Sequence, residues 1–220
     1  MRDQVDGIIL AAGLSTRMGH PKLLLEIKGH PIIELVVRAA LESLLSRVIL
    51  VSAPSFNDLT IPLGPFKKHN RLEYVTNPHP ENGMASSLQN GIRRVEKRAS
   101  GVMVILADQP WLTSKIIDFL LAEFFNDASR IVLPSINGRR TTPVIFPARF
   151  FSELMQVTGD IGGRSVLNKH PDSIVAVEMG NCYDDLDVDT PQDYEDSKHS
   201  SERFKSSRSY PPHELSEEKI

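Results

Sequence analysis

The stretch GIILAAGLSTRMGHPK, residues 7–22, places a short apolar run directly before a loop that contains Gly13, Arg17, Gly19 and Lys22. A continuous apolar run that ends at glycine is typical of a strand buried on both faces of a parallel sheet. Ligands of open α/β sheets bind beyond the carboxyl ends of such strands, which is where this loop would lie. The loop matches neither a Walker P-loop nor GxGxxG, so a phosphate cradle and a turn with solvated charges both remain open.

Apolar strands and amphipathic helices alternate along the rest of the chain, which predicts an α/β fold with a mostly parallel sheet and helices on both faces. Strand-like segments follow at residues 47–53, 71–78, 101–110, 130–136, 141–147 and 173–179. Helical segments are predicted at 31–45, 84–98, 113–125, 148–157, 162–170 and from 190 onward. The short connection NGRR between the strands at 130–136 and 141–147 indicates a local antiparallel excursion.

Length and composition favour one domain. The chain has 220 residues, 40% of them hydrophobic, and a net charge of −3, which gives no global basic field for nucleic acid. Residues 1–197 are predicted to form the domain, and the polar tail 198–220 to be disordered, with a partner-binding extension as the alternative. The single cysteine, Cys182, excludes an intrachain disulfide framework. No apolar run reaches the length of a signal peptide or a membrane span, so we expect a cytoplasmic protein.

Two acidic positions are candidate ligands for a hard cation. Asp108 lies where the most apolar strand stops, and there a carboxylate can either bind Mg²⁺ or form a turn before Pro110. The later stretch DDLDVDTPQD, residues 184–193, holds five aspartates. An extended backbone would put Asp187 and Asp189 on one face, where a cation would relieve their repulsion. A solvated loop in which Asp189 or Thr190 caps the last helix is equally consistent with these residues.

Two glycine-containing segments are further candidates. Gly83 precedes a helix whose first turn carries Ser86 and Ser87, and a helix N-terminus favours anions or base-edge acceptors. The stretch TGDIGGRSVL, residues 158–167, has Arg164 at a predicted helix start and could clamp a phosphate or a polar heterocycle. Ordinary capping and a flexible loop are the alternative explanations.

Taken together, these motifs resemble the molybdenum cofactor nucleotidyltransferases, and most closely their cytidylyltransferase branch. The resemblance spans residues 7–196 and rests on AAGLSTRMGHPKLLLEIKGHPII, GMASSLQNGI, LADQP, GDIGGRSVL and DLDVDTPQDY, in that order. The chain departs from the usual family pattern at Glu26, Ala107 and the pair Thr141–Thr142. The resemblance implies a Rossmann-like, three-layer domain of the kind found in nucleotide-diphospho-sugar transferases.

The resemblance also implies roles for individual residues. Catalytic roles fall on Arg17, Lys22 and Asp108. Nucleotide contacts fall on Leu10, Ala11, Ala12, Gly13, Ser15, Arg17, Lys22, Met84, Ser86, Ser87 and Asp108, the serine region including Ala85. Magnesium binding falls on Asp108 and Asp189, with Asp187 close by. Acceptor binding falls on Gly159, Asp160, Gly163 and Arg164.

The implied reaction is Mg²⁺-dependent transfer of a cytidylyl group from CTP to the terminal phosphate of molybdopterin, with release of pyrophosphate. A molybdenum hydroxylase apo-enzyme is an expected recipient of the product, and neither nucleic acid nor a membrane is expected as a partner. Two alternatives stay open: a related transferase that uses GTP or another phosphate acceptor, and a non-catalytic accessory protein that inserts the cofactor.

Overall fold

The computed structural model describes residues 4–13, 21–54, 63–64 and 66–203, without the side chains of residues 199–203. Ten strands are defined: β1 Val5–Ala11, β2 Glu26–Ile27, β3 His30–Pro31, β4 Val48–Ser52, β5 Leu72–Thr76, β6 Gly101–Leu106, β7 Ile131–Ile136, β8 Arg139–Arg140, β9 Val144–Pro147 and β10 Ile174–Glu178. The α-helices are α1 Ile32–Glu42, α2 Met84–Ile92, α3 Ser114–Asn126, α4 Phe151–Leu154, α5 Arg164–Lys169 and α6 Pro191–Arg203. None of these helices is long and apolar enough to cross a bilayer.

Eight of the strands form one mixed, mostly parallel sheet. The order along the sheet is β10-β7-β9-β6-β1-β4-β5, and β8 pairs with β7. Neighbours β6, β1, β4 and β5 are parallel, as are β7 and β10. Strand β9 lies antiparallel between β6 and β7, and β8 is antiparallel to β7. The antiparallel excursion predicted around NGRR is therefore confirmed.

Alternate residues of the central strands pack against helices on opposite faces of the sheet. On β1, Val5 and Ile9 join the hydrophobic cluster that contains buried residues of α1 and α3. Ile8, between them, joins the cluster that contains buried residues of α2, α4 and α5. Residues 7–12 are continuously apolar because the strand they form is buried on both faces of the sheet. The predicted three-layer arrangement is confirmed.

Helix boundaries follow local chemistry. Thr113 caps α3, and its side chain accepts a hydrogen bond from the Ile116 N–H, as expected for a threonine at this position. Helix α2 ends at Ile92 although helical periodicity predicted it to continue to residue 98. If the helix continued to residue 98, Arg93 would face Lys97 and Arg94 would face Arg98. Positive charges four residues apart repel each other and destabilise a helix.

Candidate active site

The carboxyl ends of β1 and β6 border the point where the strand order reverses. From β1 the chain proceeds to β4 and β5 on one side of the sheet, and then returns to β6 on the other side. Such a switch point leaves a crevice beyond the strand ends, where open α/β proteins bind ligands. Ala12 and Gly13 follow β1 into this crevice, and Asp108 follows β6.

Three charged side chains from distant parts of the chain meet at the crevice. Lys22 Nζ lies 2.6 Å from Asp108 Oδ2 and 2.6 Å from Asp189 Oδ1. Lys22 begins a short 3₁₀ helix, Lys22–Leu24, that is held by its buried neighbour Leu23. The lysine side chain is 11% exposed, that of Asp108 20% and that of Asp189 45%, so the Asp108 pair is the more shielded from solvent. A single ammonium thus bridges the two carboxylates that were predicted to bind magnesium.

The segment that carries Asp189 is fixed by backbone contacts and by the start of α6. The Val188 N–H donates to the Asp108 carbonyl at 3.1 Å, and the Val188 side chain is fully buried. Thr190 and Asp193 form a reciprocal cap, because the Thr190 N–H donates to Asp193 Oδ2 and the Asp193 N–H donates to Thr190 Oγ1. Pro191 occupies the first helical turn, where its missing N–H costs nothing. Of the two predicted caps, Thr190 is confirmed.

The electrostatics of the crevice keep Lys22 charged and disfavour charge on Asp187. Burial by itself lowers the pKa of Lys22, but the charge of Asp108 and hydrogen bonds to Asp108 and Asp189 outweigh burial, so the pKa is raised. Burial, followed by the charge of Asp108, raises the pKa of Asp187 to about 6. Gln109 Nε2 donates to Asp187 Oδ1 at 2.9 Å and opposes this shift. Among the residues that the structure describes at the crevice, carboxylates outnumber cations.

The donor set at the crevice fits a divalent cation. Asp108 Oδ1 is buried and has no hydrogen-bond partner within the described part of the chain. An unpartnered buried carboxylate oxygen is costly unless a ligand or ion satisfies it. The described residues contain no cluster of three or more protein side chains of the metal-ligating types, so an ion here would take its remaining ligands from a bound molecule or water.

A cavity of about 360 Å³ opens above this cluster. Its walls come from the end of β1, the 3₁₀ helix at Lys22, the segment before α2 and the end of β6. The lining residues that sequence analysis singled out are Leu10, Ala11, Ala12, Gly13, Lys22, Gly83, Met84, Ser87, Ala107, Asp108 and Asp160. An added Cβ at Gly13 would meet no atom of the described residues within 4 Å.

A larger cavity of about 660 Å³ adjoins the first, and Met84, Leu106 and Asp160 line both. Its floor is apolar, formed by Val104, Leu133, Val144, Phe146 and Leu167. Its rim carries Arg139, Arg140 and Arg164. The guanidinium of Arg139 is paired with Asp185 at 2.9 Å, whereas those of Arg140 and Arg164 are exposed, with no hydrogen-bond or ion-pair partner among the described residues. This cavity suits a molecule with a flat apolar part and an anionic group.

The wall between the two cavities is a contact between the start of α2 and the loop before α5. Asp160 Oδ1 accepts a hydrogen bond from the Met84 N–H at 3.2 Å. Gly83 has a φ of 80°, and an added Cβ there would lie 2.5 Å from Asp160 Oδ1 and 2.6 Å from the Gly159 carbonyl carbon. Glycine is required at this position for both reasons. The carboxylate of Asp160, and not a ligand, thus occupies the first N–H of α2.

Comparison with known proteins agrees with this geometry. The family described as "MobA-like NTP transferase domain" matches residues 7–174. This chain belongs to that family. It is 32% identical to the purine catabolism protein PucB of Bacillus subtilis over 86% of this chain and 93% of PucB. It is 28% identical to the molybdenum cofactor cytidylyltransferase of Escherichia coli, again over 86% of this chain and 93% of that protein.

The fold comparison gives the same architecture. The crystal structure of Rv0371c from Mycobacterium tuberculosis superposes with a TM-score of 0.77, covering 90% of this chain and 98% of that one at 24% identity. As a member of the MobA-like family, the chain is a nucleotidyltransferase with a Rossmann-type, mostly parallel sheet.

Within this MobA-like fold, the residues predicted for the site are distributed unevenly. Lys22, Asp108 and Asp189 are brought together. Lys22 and Asp108 line the smaller cavity with Met84 and Ser87, whereas Asp189 lines neither cavity. Asp160, Gly163 and Arg164 line the larger cavity. Three predicted nucleotide or acceptor contacts also line neither cavity. Ala85 is buried in the hydrophobic cluster, Ser86 donates its hydroxyl to backbone carbonyls, and Gly159 packs its backbone against Gly83. Ser15 and Arg17 lie outside the described residues.

The sequence analysis gave no role to two residues of the site, Gln109 and Asn77, whose side-chain amides are buried. Gln109 is 2% exposed and accepts hydrogen bonds from Thr142 Oγ1 and Tyr183 OH while it donates to Asp187. Asn77 is fully buried and contacts the first turn of α2. Asn77 lies within the strand-like segment predicted at residues 71–78 and was given no role of its own. The available signal was that each amide directly follows a strand-end position at the ligand-binding edge of the sheet.

Proposed function

We propose that the chain catalyses Mg²⁺-dependent transfer of a cytidylyl group from CTP to the terminal phosphate of molybdopterin, giving molybdopterin cytosine dinucleotide and pyrophosphate. The proposal rests chiefly on the bridge from Lys22 to Asp108 and Asp189, because Lys22 and Asp108 line the smaller cavity, which adjoins the larger one. The smaller cavity would take the nucleotide and the larger one the acceptor.

Charge balance supports the need for a metal ion. Lys22 carries one positive charge against the two carboxylates it bridges, and a nucleoside triphosphate would add several negative charges. Asp108 and Asp189 would hold Mg²⁺, which when bound supplies charge neutralisation at the phosphates that react. Once the carboxylates serve the metal, the Lys22 ammonium is available to neutralise the departing pyrophosphate.

The chemistry needs no general base from the protein. An oxygen of the acceptor phosphate attacks the α-phosphorus of CTP, and the bond from that phosphorus to the bridging β-phosphate oxygen breaks. A phosphate monoester is already ionised at neutral pH, because its second pKa is about 6. The protein's task is to orient two anions in line and to offset their repulsion, which the paired cavities and Lys22 are placed to do.

The acceptor assignment draws on the larger cavity and on the relatives. Its apolar floor can pack against a flat heterocycle such as a pterin, and its exposed Arg140 and Arg164 can bind the terminal phosphate. A curated relative is named as a molybdenum cofactor cytidylyltransferase and another as a purine catabolism protein. The cytidylyltransferase branch that the chain resembles makes the cytosine dinucleotide for hydroxylases of the xanthine dehydrogenase type, so such an apo-enzyme is the proposed recipient.

A pyrophosphate-release assay with CTP or GTP, each with and without molybdopterin, tests the proposal. We expect release that requires Mg²⁺ and molybdopterin and is faster with CTP. Asp108→Ala should abolish nearly all of it, while the exposed control Asp172→Ala should retain it. Undiminished turnover by the Asp108→Ala variant would contradict the assigned site, and faster release with GTP would contradict the choice of donor.

A further inference from the structure

Asn77 sits behind the first turn of α2 with every hydrogen-bonding position of its side-chain amide occupied. Its Nδ2 donates to Ser86 Oγ at 2.8 Å and to Ser87 Oγ at 2.9 Å. Its Oδ1 accepts from the His79 N–H at 3.0 Å and from Asn90 Nδ2 at 3.2 Å. An asparagine amide has two donor hydrogens and one acceptor oxygen, so this residue is fully satisfied while fully buried.

The orientation of the Asn77 amide is set by its neighbours. A backbone N–H can only donate, so the side-chain atom that faces His79 must be the oxygen. The two amide hydrogens are therefore directed at the two serine hydroxyl oxygens. Each serine receives a hydrogen bond on its oxygen and keeps its own hydrogen to donate elsewhere.

The two serines use that hydrogen differently. Ser86 Oγ donates to the backbone carbonyls of Gly83 and His79, at 2.8 and 3.0 Å. Ser87 Oγ donates to no other group among the described residues, although the residue is only 5% exposed. Ser87 lines the smaller cavity, so its unused hydrogen is available to a ligand there.

The charges around that cavity indicate which part of a nucleotide Ser87 meets. The only cation among its described lining residues is Lys22, which lies with Asp108 at the strand ends. The segment that leads into α2 contributes no cation but the carboxylate of Glu81, which would repel phosphates. The phosphates therefore belong beside Lys22, and the nucleoside belongs beside α2.

We infer that Asn77 is a positioning residue that makes Ser87 a hydrogen-bond donor to an acceptor atom of the nucleotide's base. The inference rests on the proposed function in that the smaller cavity holds the nucleotide. It assigns nucleoside recognition to a residue that lines neither cavity. A pyrimidine such as cytosine offers ring nitrogen and carbonyl oxygen acceptors to such a donor.

Asn77→Asp inverts this arrangement with little change of shape. A carboxylate accepts only, so it retains the contacts from His79 and Asn90 but turns the Ser87 hydrogen toward itself. The cavity then faces an acceptor oxygen in place of a donor hydrogen. Ser87→Ala removes the donor altogether, and Ser43→Ala is a matched control, because Ser43 is a buried serine with two hydrogen bonds outside both cavities.

Binding of CTP, and of tripolyphosphate as a probe without a nucleoside, is measured by calorimetry in the presence of Mg²⁺. We expect Asn77→Asp and Ser87→Ala each to weaken CTP binding at least tenfold and tripolyphosphate binding less than twofold. The double variant should bind CTP no more weakly than Ser87→Ala, because Asn77 acts through Ser87. Ser43→Ala should bind both probes like the wild type.

Wild-type CTP affinity in Ser87→Ala would overturn the inference even if Asn77→Asp fails to fold. The inference would also be overturned if the variants lost affinity for CTP and tripolyphosphate equally. It would be overturned too if the losses of CTP affinity in the two single variants added up in the double variant. A wild type that binds CTP in this way but transfers no cytidylyl group would refute the proposed reaction and leave the role of Asn77 standing. A wild type that binds no nucleotide would refute both.

Discussion

Replacing Lys22 with methionine should have opposite effects on metal binding and on turnover. Methionine retains an unbranched apolar stem but removes the ammonium that bridges Asp108 and Asp189. In the wild type, a divalent cation must displace this ammonium before it can bind both carboxylates. In the variant the carboxylates face each other without a competing cation. We therefore expect tighter metal binding and slower catalysis.

The size of the effect follows from the geometry. The two carboxylate oxygens are no more than about 5 Å apart, because each lies 2.6 Å from the same nitrogen. At an effective dielectric constant of about 20, two unit charges at that separation repel by about 3 kcal/mol. Asp189 is 45% exposed, so solvent screening reduces this figure, and we take about 2 kcal/mol. That corresponds to roughly 30-fold tighter binding of a divalent cation.

Calorimetric titration of the nucleotide-free protein with Mn²⁺ measures the change in metal affinity. Pyrophosphate release with CTP, Mg²⁺ and acceptor measures the change in turnover, for which we expect a loss of roughly 100- to 1000-fold, as for removal of a charge-stabilising donor. Lys115→Met, on the exposed face of α3, is the matched control and should change neither. Unchanged or weaker Mn²⁺ binding by Lys22→Met would refute the view that the ammonium occupies the cation site.

Three further changes test other parts of the structure. Gly83→Ala should destabilise the fold by about 1–3 kcal/mol, because φ 80° with ψ −176° is a backbone region that essentially only glycine adopts. Displacement of Asp160 should also lower turnover, and urea unfolding and steady-state kinetics measure the two effects. Arg164→Gln should raise the KM for the acceptor severalfold and leave the KM for CTP unchanged; a change confined to CTP would contradict the acceptor cavity. Asp6→Asn should stabilise the protein near pH 7, because burial raises the pKa of the fully buried Asp6 and so disfavours its charged form. We expect a gain of roughly 1–3 kcal/mol in the free energy of unfolding, which is the usual cost of one buried polar group without a suitable hydrogen-bond partner. Neutral Asp6 is favoured in the fold, so its contribution is complete below its ordinary pKa of 3.8 and is lost as pH rises through the elevated value. Unfolding curves at pH 4 and pH 7 should therefore show the advantage of Asp6→Asn shrinking at the lower pH, and a constant advantage would contradict this.

Several features of the site were predictable because they depend on local sequence. The run that ends at Ala12 was predicted to be a buried strand and Asp108 to follow another, and β1 and β6 confirm both. Neighbouring parallel strands carry their carboxyl ends to one edge of the sheet, which explains why Asp108 and the end of β1 lie close together. Thr190 and Pro191 likewise predicted where α6 begins. The predicted helix through residue 98 was too long: α2 ends at Ile92, and the Glu96 N–H donates to Asp6 Oδ2 of β1 in place of a helical carbonyl, a tertiary contact that local periodicity does not encode.

The sequence by itself determined the class of fold, the strand-end position of Asp108 and the family of the chain. These follow from hydrophobic periodicity and from motifs in which a few adjacent residues suffice. Only the tertiary structure decided that Lys22 bridges Asp108 and Asp189, that Asp160 occupies the start of α2, and that Asn77 orients Ser87. Those contacts join residues from separate elements, and for the lysine they span up to 167 positions. Their geometry depends on how the strands are ordered in the sheet, which no local pattern encodes.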